Sequence, residues 1–241
     1  MHSASRKLAR ALLGRRGTAA VAAFLEAGCR PPAADDSAER SRLHTVSSEI
    51  EPVRLHVGCG PRVLKGWLNV DFAFEPFEDY LQYYGDRFYP PELRGDRTDF
   101  FAIDVTRGLP LPDESVDVVF HEDFLEHISQ RDAVGFLADV RRVLVPGGVH
   151  RVSTPDLAAS MRDHSQFDRG RDGVHFDEWD SHCHLHLLTR SYLSELAKLT
   201  GYSDVIISRR DSSIAAGLPR EYRPDPTDRP EDGNIFADLI R

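Results

Sequence analysis

Apolar positions in this chain fall into short runs punctuated by glycine, proline and acidic residues, the pattern of strands that alternate with helices. Residues 53–57 (VRLHV) form a β-type run that stops at Gly58-Cys59-Gly60, and residues 68–71 (LNVD) form a second that ends in an acid. Residues 101–104 and 116–120 predict strands three and four, 149–153 strand five, and 205–208 and 235–240 the final two. Ser129, with Asp132 three residues on, reads as the N-cap of a helix whose apolar face is Phe136, Val140, Val143 and Leu144, closed by Pro146-Gly147-Gly148. Thr154-Pro155-Asp156 starts another helix with proline at its first position, and Tyr192, Leu193, Leu196 and Leu199 line a later one that Gly201 ends. Strands alternating with helices predict an α/β fold, with a mostly parallel, Rossmann-like sheet covered on both faces.

Outside this pattern, residues 6–25 read as a basic amphipathic helix with Leu8, Leu12, Leu13, Val21, Phe24 and Leu25 on one side. A packing helix, a transit peptide and a membrane-surface helix compete for it. The expected organisation is this helix over 1–29, a linker over 30–50, and one domain over 51–241 with insertions near 72–100 and 212–233. The insertions would lie over the carboxyl edge of the sheet, where such folds bind ligands.

Composition narrows the function. The formal charge is -9, and from residue 51 onward 34 acidic side chains face 22 basic ones. Phosphate backbones repel such a domain, so nucleic acid is not an expected partner. Three scattered cysteines without CxxC spacing fit a reducing, cytoplasmic compartment, and no apolar run is long enough to span a membrane.

The Gly58-x-Gly60 turn brings backbone N–H groups close to a ligand, and Asp71 at the end of the next strand can accept from two ribose hydroxyls. A dinucleotide would demand a third glycine, where Val63 stands, and an acid about twenty residues on, so that reading fails.

Three blocks carry a resemblance: LHVGCGPRVLKGWLNVD at 55–71, IDVTRGLPLPDESVDVVFHEDFLEHI at 103–128 and FLADVRRVLVPGGVHRVSTPD at 136–156. Together they resemble class I S-adenosylmethionine-dependent methyltransferases, most closely a group of small bacterial-type predicted methyltransferases with a GCG…GWxNVD signature. The resemblance covers roughly residues 53–210. It implies a seven-stranded sheet whose last strand is antiparallel, with S-adenosyl-L-methionine as cofactor. Gly58, Cys59 and Gly60 would then contact the methionine part and the ribose edge, and Asp71 the ribose hydroxyls. Asp104 would take the adenine amino group with Val105 beside it, and His121 and Glu122 would border the methionine tail. The sequence departs from the wider superfamily at the first helix, for which residues 61–67 leave at most two turns.

The acceptor expected is a small molecule with a hydroxyl, such as a sugar, and His127 and His184 are the candidate bases. The cluster His182-Cys183-His184-Leu185-His186, with His175 upstream, admits a zinc reading if alternate residues of a strand share a face. No acidic or thiolate ligand completes a familiar spacing, so a pocket-lining loop and no metal are expected. Trp179 and the aromatic stretch 72–84 offer stacking surfaces. A metal-dependent hydrolase built on the histidine cluster and a cofactor-binding protein without turnover are the alternatives.

Overall fold

The computed structural model describes residues 35–75, 77, 89–164, 183–221 and 233–241. Among them seven strands form one sheet: β1 (Arg54–Val57), β2 (Leu68–Asp71), β3 (Phe100–Ala102), β4 (Val116–Glu122), β5 (Leu144–Pro155), β6 (Asp204–Ile207) and β7 (Asn234–Ile240). Their order is β3-β2-β1-β4-β5-β7-β6. The first five pair in parallel, and β7 runs antiparallel to both β5 and β6. This is the Rossmann-like arrangement the sequence pattern predicts, with the reversed last strand that the resemblance implies.

Four helices are described: α1 (Ser37–Ser47), α2 (Gln130–Val143), α3 (Leu157–His164) and α4 (Arg190–Leu199). The Ser129 hydroxyl caps α2, accepting from the Asp132 N–H at 3.1 Å. Ala133, Phe136, Leu137, Val140 and Val143 bury one face of α2 against the sheet, and Leu193, Leu196 and Ala197 do the same for α4. Leu199 is 74% exposed and leaves that face. Leu144 begins β5 rather than ending a helix, and Pro146-Gly147-Gly148 lies within the strand. There the partner of Val116 is Leu144 and the partner of Val118 is already Val149, so the three residues bulge outward. Pro155 closes β5 and does not open α3, because its carbonyl-side register is still held by Asn234 of β7.

The expected linker is wrong over residues 37–47. That segment is α1, and its composition hides it because only one of its residues, Leu43, is a fully buried apolar side chain. Val46 and Ile50 pack partly against the same core. Arg42 lies over the Phe101 ring, 3.8 Å from its centre. Asp36, just before the helix, accepts from the Asp104 backbone N–H at 3.2 Å and pairs with Arg40 and Arg107. The expected helix over 1–29 lies outside the described residues.

The two faces of the sheet are built differently. One is covered by α2 and α4 over the main apolar core. On the other, the described cover is loop: Leu64, Trp67, Phe77 and Tyr89 pack on Val118 and Phe120, with Ala215 and Leu218 at the margin. Two buried polar hubs hold these loops. Asn69 Oδ1 accepts from Leu64 N (2.8 Å), while its Nδ2 donates to the carbonyls of Leu64, Trp67 and Asp99. Fully buried Arg151 pairs with Glu221 at 2.7 Å and Asp238 at 3.3 Å and donates to the Arg209 carbonyl.

Leu43→Ala should lower stability by about 2–4 kcal/mol, the usual cost of a cavity at a filled core position. In urea titrations a chain starting at residue 35 should unfold at a higher midpoint than one starting at residue 49. Equal midpoints, or an unchanged Leu43→Ala protein, would make α1 dispensable.

Candidate active site

The carboxyl ends of β1, β2 and β4 meet at the glycine turn. Gly58 and Gly60 have φ of 61° and 50°, a region that side-chain-bearing residues rarely enter. At Gly58 space matters as well, since a Cβ there would fall 2.8 Å from the Phe124 ring. Beside Gly60 the space is open among the described residues: a Cβ would meet none of their atoms within 4 Å. The turn is fastened to β2 through Gly58 N to the Val70 carbonyl (2.9 Å) and Gly60 N to Asp71 Oδ2 (2.8 Å).

Asp71 therefore sits against the glycine turn, with Oδ1 accepting from the Phe72 N–H at 2.7 Å. Burial pushes its carboxyl up to about 6, and the Gly60 and Phe72 N–H groups pull the other way without cancelling it. Cys59 is buried and its thiol is pushed well up by desolvation, so it acts as an apolar wall of the turn.

Asp104 follows β3 and caps a short turn, accepting from the Thr106 N–H at 3.0 Å and hydroxyl at 2.6 Å. Its own N–H and carbonyl are held by Asp36 and Arg40 from the α1 segment. Val105 beside it is buried in the core.

The residues after the fourth strand's start divide between the two faces by alternation. Glu122 points to the loop-covered face and pairs with buried Arg62, which also donates to the Arg220 carbonyl. His121 points the other way, fully buried among Phe124, Phe136 and His150. Desolvation lowers it to about 3, so it is a neutral core ring. The expected place of His121 beside a ligand's tail is corrected by this packing: its ring is 0% exposed and belongs to the layer under α2.

A separate cluster stands at the ends of β4 and β5. Glu126 and His127 lie on the turn Leu125–His127 and His184 on the loop before α4, and donor atoms of all three lie within 4.8 Å of one another. The two imidazoles meet edge to face at 4.9 Å. The Thr154 hydroxyl donates to Glu126 Oε2 at 3.0 Å, and Leu185 N donates to the Glu126 carbonyl at 2.7 Å. The strand that would align three histidines does not form among the described residues: Cys183 has φ of 58°, and His186 turns away to the Ile128 carbonyl at 2.8 Å. His182, His175 and Trp179 lie outside the described residues. The structure thus brings together His127 and His184, both expected as bases, with Glu126 and Thr154, for which no role was expected; the acid adjacent to His127 was the available signal for Glu126.

Residues 55–152 match the family profile described as a methyltransferase domain. A Mycolicibacterium smegmatis protein named "Probable S-adenosylmethionine-dependent methyltransferase" is 44% identical over 64 residues, 25% of this chain and 24% of that protein. The match thus spans about a quarter of the relative's length. Among solved structures, a SAM-dependent methyltransferase from Archaeoglobus fulgidus aligns over 86% of this chain and 95% of its own, at 13% identity and a TM-score of 0.48. The 1,6-didemethyltoxoflavin-N1-methyltransferase of Burkholderia thailandensis aligns over 86% and 78%, at 16% identity and a TM-score of 0.44.

Gly58→Ala combines a disfavoured φ with a collision against Phe124, and should destabilise the fold by about 1–3 kcal/mol. Adding Phe124→Ala removes the collision but not the backbone strain, so the double variant should show less than the summed loss of the two single variants. Denaturant midpoints for the four proteins check this; strict additivity would deny the contact.

Proposed function

We propose, for a chain whose residues 55–152 match a methyltransferase-domain profile, that it is a class I S-adenosylmethionine-dependent methyltransferase and transfers a methyl group to a hydroxyl of a small acceptor such as a sugar. The observation that carries this reading is the Gly60–Asp71 hydrogen bond beside open space, which aims a carboxylate along the edge of the glycine turn. A ribose diol fits there: each hydroxyl donates to a carboxylate oxygen that retains acceptor capacity beyond its one backbone partner. Gly58, Cys59 and Gly60 would meet the methionine part, and Asp104 and Val105 the adenine, with α1 holding the Asp104 backbone in place. Glu122 would border the methionine tail together with Arg62. His121 stays in the core and supports the strand end.

Bound there, the cofactor supplies a methyl group already activated on a sulfonium. What remains for the protein is to hold the acceptor oxygen in line, exclude water and take up a proton. As the carbon–oxygen bond forms and the carbon–sulfur bond breaks, the hydroxyl proton passes to an imidazole of the His127–His184 pair. Glu126, fixed by Thr154, orients that pair. Phe124, against Gly58, and His127 belong to the same stretch of chain, which links the cofactor turn to the base.

Asp71→Ala should weaken S-adenosylmethionine binding by about 1.5–3 kcal/mol, read by calorimetry on folded protein. Hydroxyl donors need the ionised carboxylate, which is lost as pH falls through about 6. Wild-type affinity should therefore drop between pH 7 and pH 5, whereas that of Asp71→Asn should be flat. Unchanged affinity in both variants would remove Asp71 from the site.

Once an acceptor is identified by transfer of labelled methyl to a panel of small hydroxyl compounds, His127→Ala and His184→Ala should be compared with wild type. Replacing the base should lower turnover by roughly a hundredfold or more with cofactor affinity nearly unchanged. A loss below about threefold in both variants would leave proximity and desolvation as the whole of the catalysis.

A further inference from the structure

We infer that Glu126, His127 and His184 form a binding site for one divalent transition-metal ion of the zinc, manganese or cobalt type. Three lines on the geometry converge. The donor set is two imidazoles and one carboxylate, a set that suits borderline ions better than magnesium or calcium. The donor atoms lie within 4.8 Å of one another. Tetrahedral coordination at about 2.1 Å puts donors about 3.4 Å apart, so the most separated pair closes by up to about 1.4 Å when an ion binds. Finally, the carboxylate already has an outer partner, since the Thr154 hydroxyl holds Oε2 at 3.0 Å, the arrangement that orients a ligating carboxylate.

The fold brings the ligands from two segments and their outer partner from a third. Glu126 and His127 lie on the turn just after β4, Thr154 lies near the end of β5, and the loop bearing His184 is clasped to the Glu126 carbonyl by the Leu185 N–H at 2.7 Å. In the sequence no acidic or thiolate ligand completes a familiar metal spacing with residues 182–186; the carboxylate comes from Glu126, while His186 turns to the Ile128 carbonyl. Glu126 and His184 are buried, 1% and 6% exposed, while His127 is partly open. An ion there has three protein ligands and an accessible side, the composition of a site that binds an outside oxygen rather than one that only cross-links the chain.

One consequence rests on the proposed methyl transfer. An acceptor hydroxyl coordinated at the open side would lose its proton to water near neutral pH, because the cation stabilises the alkoxide. In the ion-loaded protein the imidazoles are then ligands, and in the ion-free protein one of them takes the proton directly.

The test uses the full chain, stripped with chelator and titrated with zinc chloride alone by calorimetry, with cobalt(II) absorption as a second readout. One equivalent should bind, and binding should raise the unfolding temperature in proportion to occupancy. His127→Ala, His184→Ala and Glu126→Gln should each abolish the stoichiometric site, and Thr154→Val should weaken it about tenfold or more. Glu126 is buried and its variant can fail to fold; His127→Ala, at a partly open position, then decides. Absence of a stoichiometric site, or a site that survives both histidine variants, overturns the inference. Cofactor binding by the ion-free protein is measured separately. A protein that binds zinc through these residues but no S-adenosylmethionine would keep the metal site and sink the methyltransferase reading, and the reverse result would do the opposite.

Discussion

The connection between β1 and β2 runs only from Gly58 to Trp67, too short for the helix that normally carries a parallel crossover. Its backbone must nonetheless be buried against the sheet, and buried N–H and C=O groups left without partners are costly. Asn69 answers this constraint. Its amide binds both backbone groups of Leu64 and the carbonyls of Trp67 and Asp99, and its oxygen also meets His56 Nδ1 at 3.2 Å. An apolar residue of the same size would leave that loop without a ladder. A side-chain amide here performs the role that helical hydrogen bonds perform elsewhere.

The same constraint shapes the whole loop-covered face. Trp67, His56 and Phe120 pack ring on ring where a helix would have laid an apolar stripe. Further along, Arg151 holds the loop from Arg209 to Glu221 with two carboxylates, all but removed from water. Buried ion pairs contribute little net stability, because desolvation opposes their attraction. Their effect here is positional: the guanidinium fork admits one placement of Glu221 and of the Arg209 carbonyl, and hence one path for the loop over the sheet.

On the opposite face the apolar core encloses a row of polar rings, His121, His150 and Tyr202. His150 Nδ1 meets the Tyr202 hydroxyl at 2.9 Å, and that hydroxyl donates to the Leu137 carbonyl at 3.1 Å. Desolvation keeps both imidazoles neutral. The two faces thus converge on one edge: the Asn69 loop delivers the glycine turn and Asp71, and the helical face delivers the turn that carries Phe124, Glu126 and His127. α1 completes the edge by fastening the backbone of Asp104.

The sequence by itself determined most of the strands, the sheet class and the glycine turn after the first strand, because these depend on local order. Alternating apolar residues make 54–57 and 68–71 strands, glycine alone tolerates the positive φ at 58 and 60, and Ser129 caps the helix that follows it. The family resemblance rested on those same contiguous blocks. Contacts between distant segments were beyond it. That α1 is a helix depends on Leu43 reaching the core and Arg42 lying over Phe101, which no window of its own polar sequence announces. That His121 is core and His127 is not depends on which face of β4 meets α2. That His184 joins Glu126 and His127 while His186 turns to the Ile128 carbonyl depends on the backbone at Cys183 and on the bond from the Leu185 N–H to the Glu126 carbonyl. Local patterns fix the direction a side chain leaves its own backbone; only the packed structure decides what is waiting there.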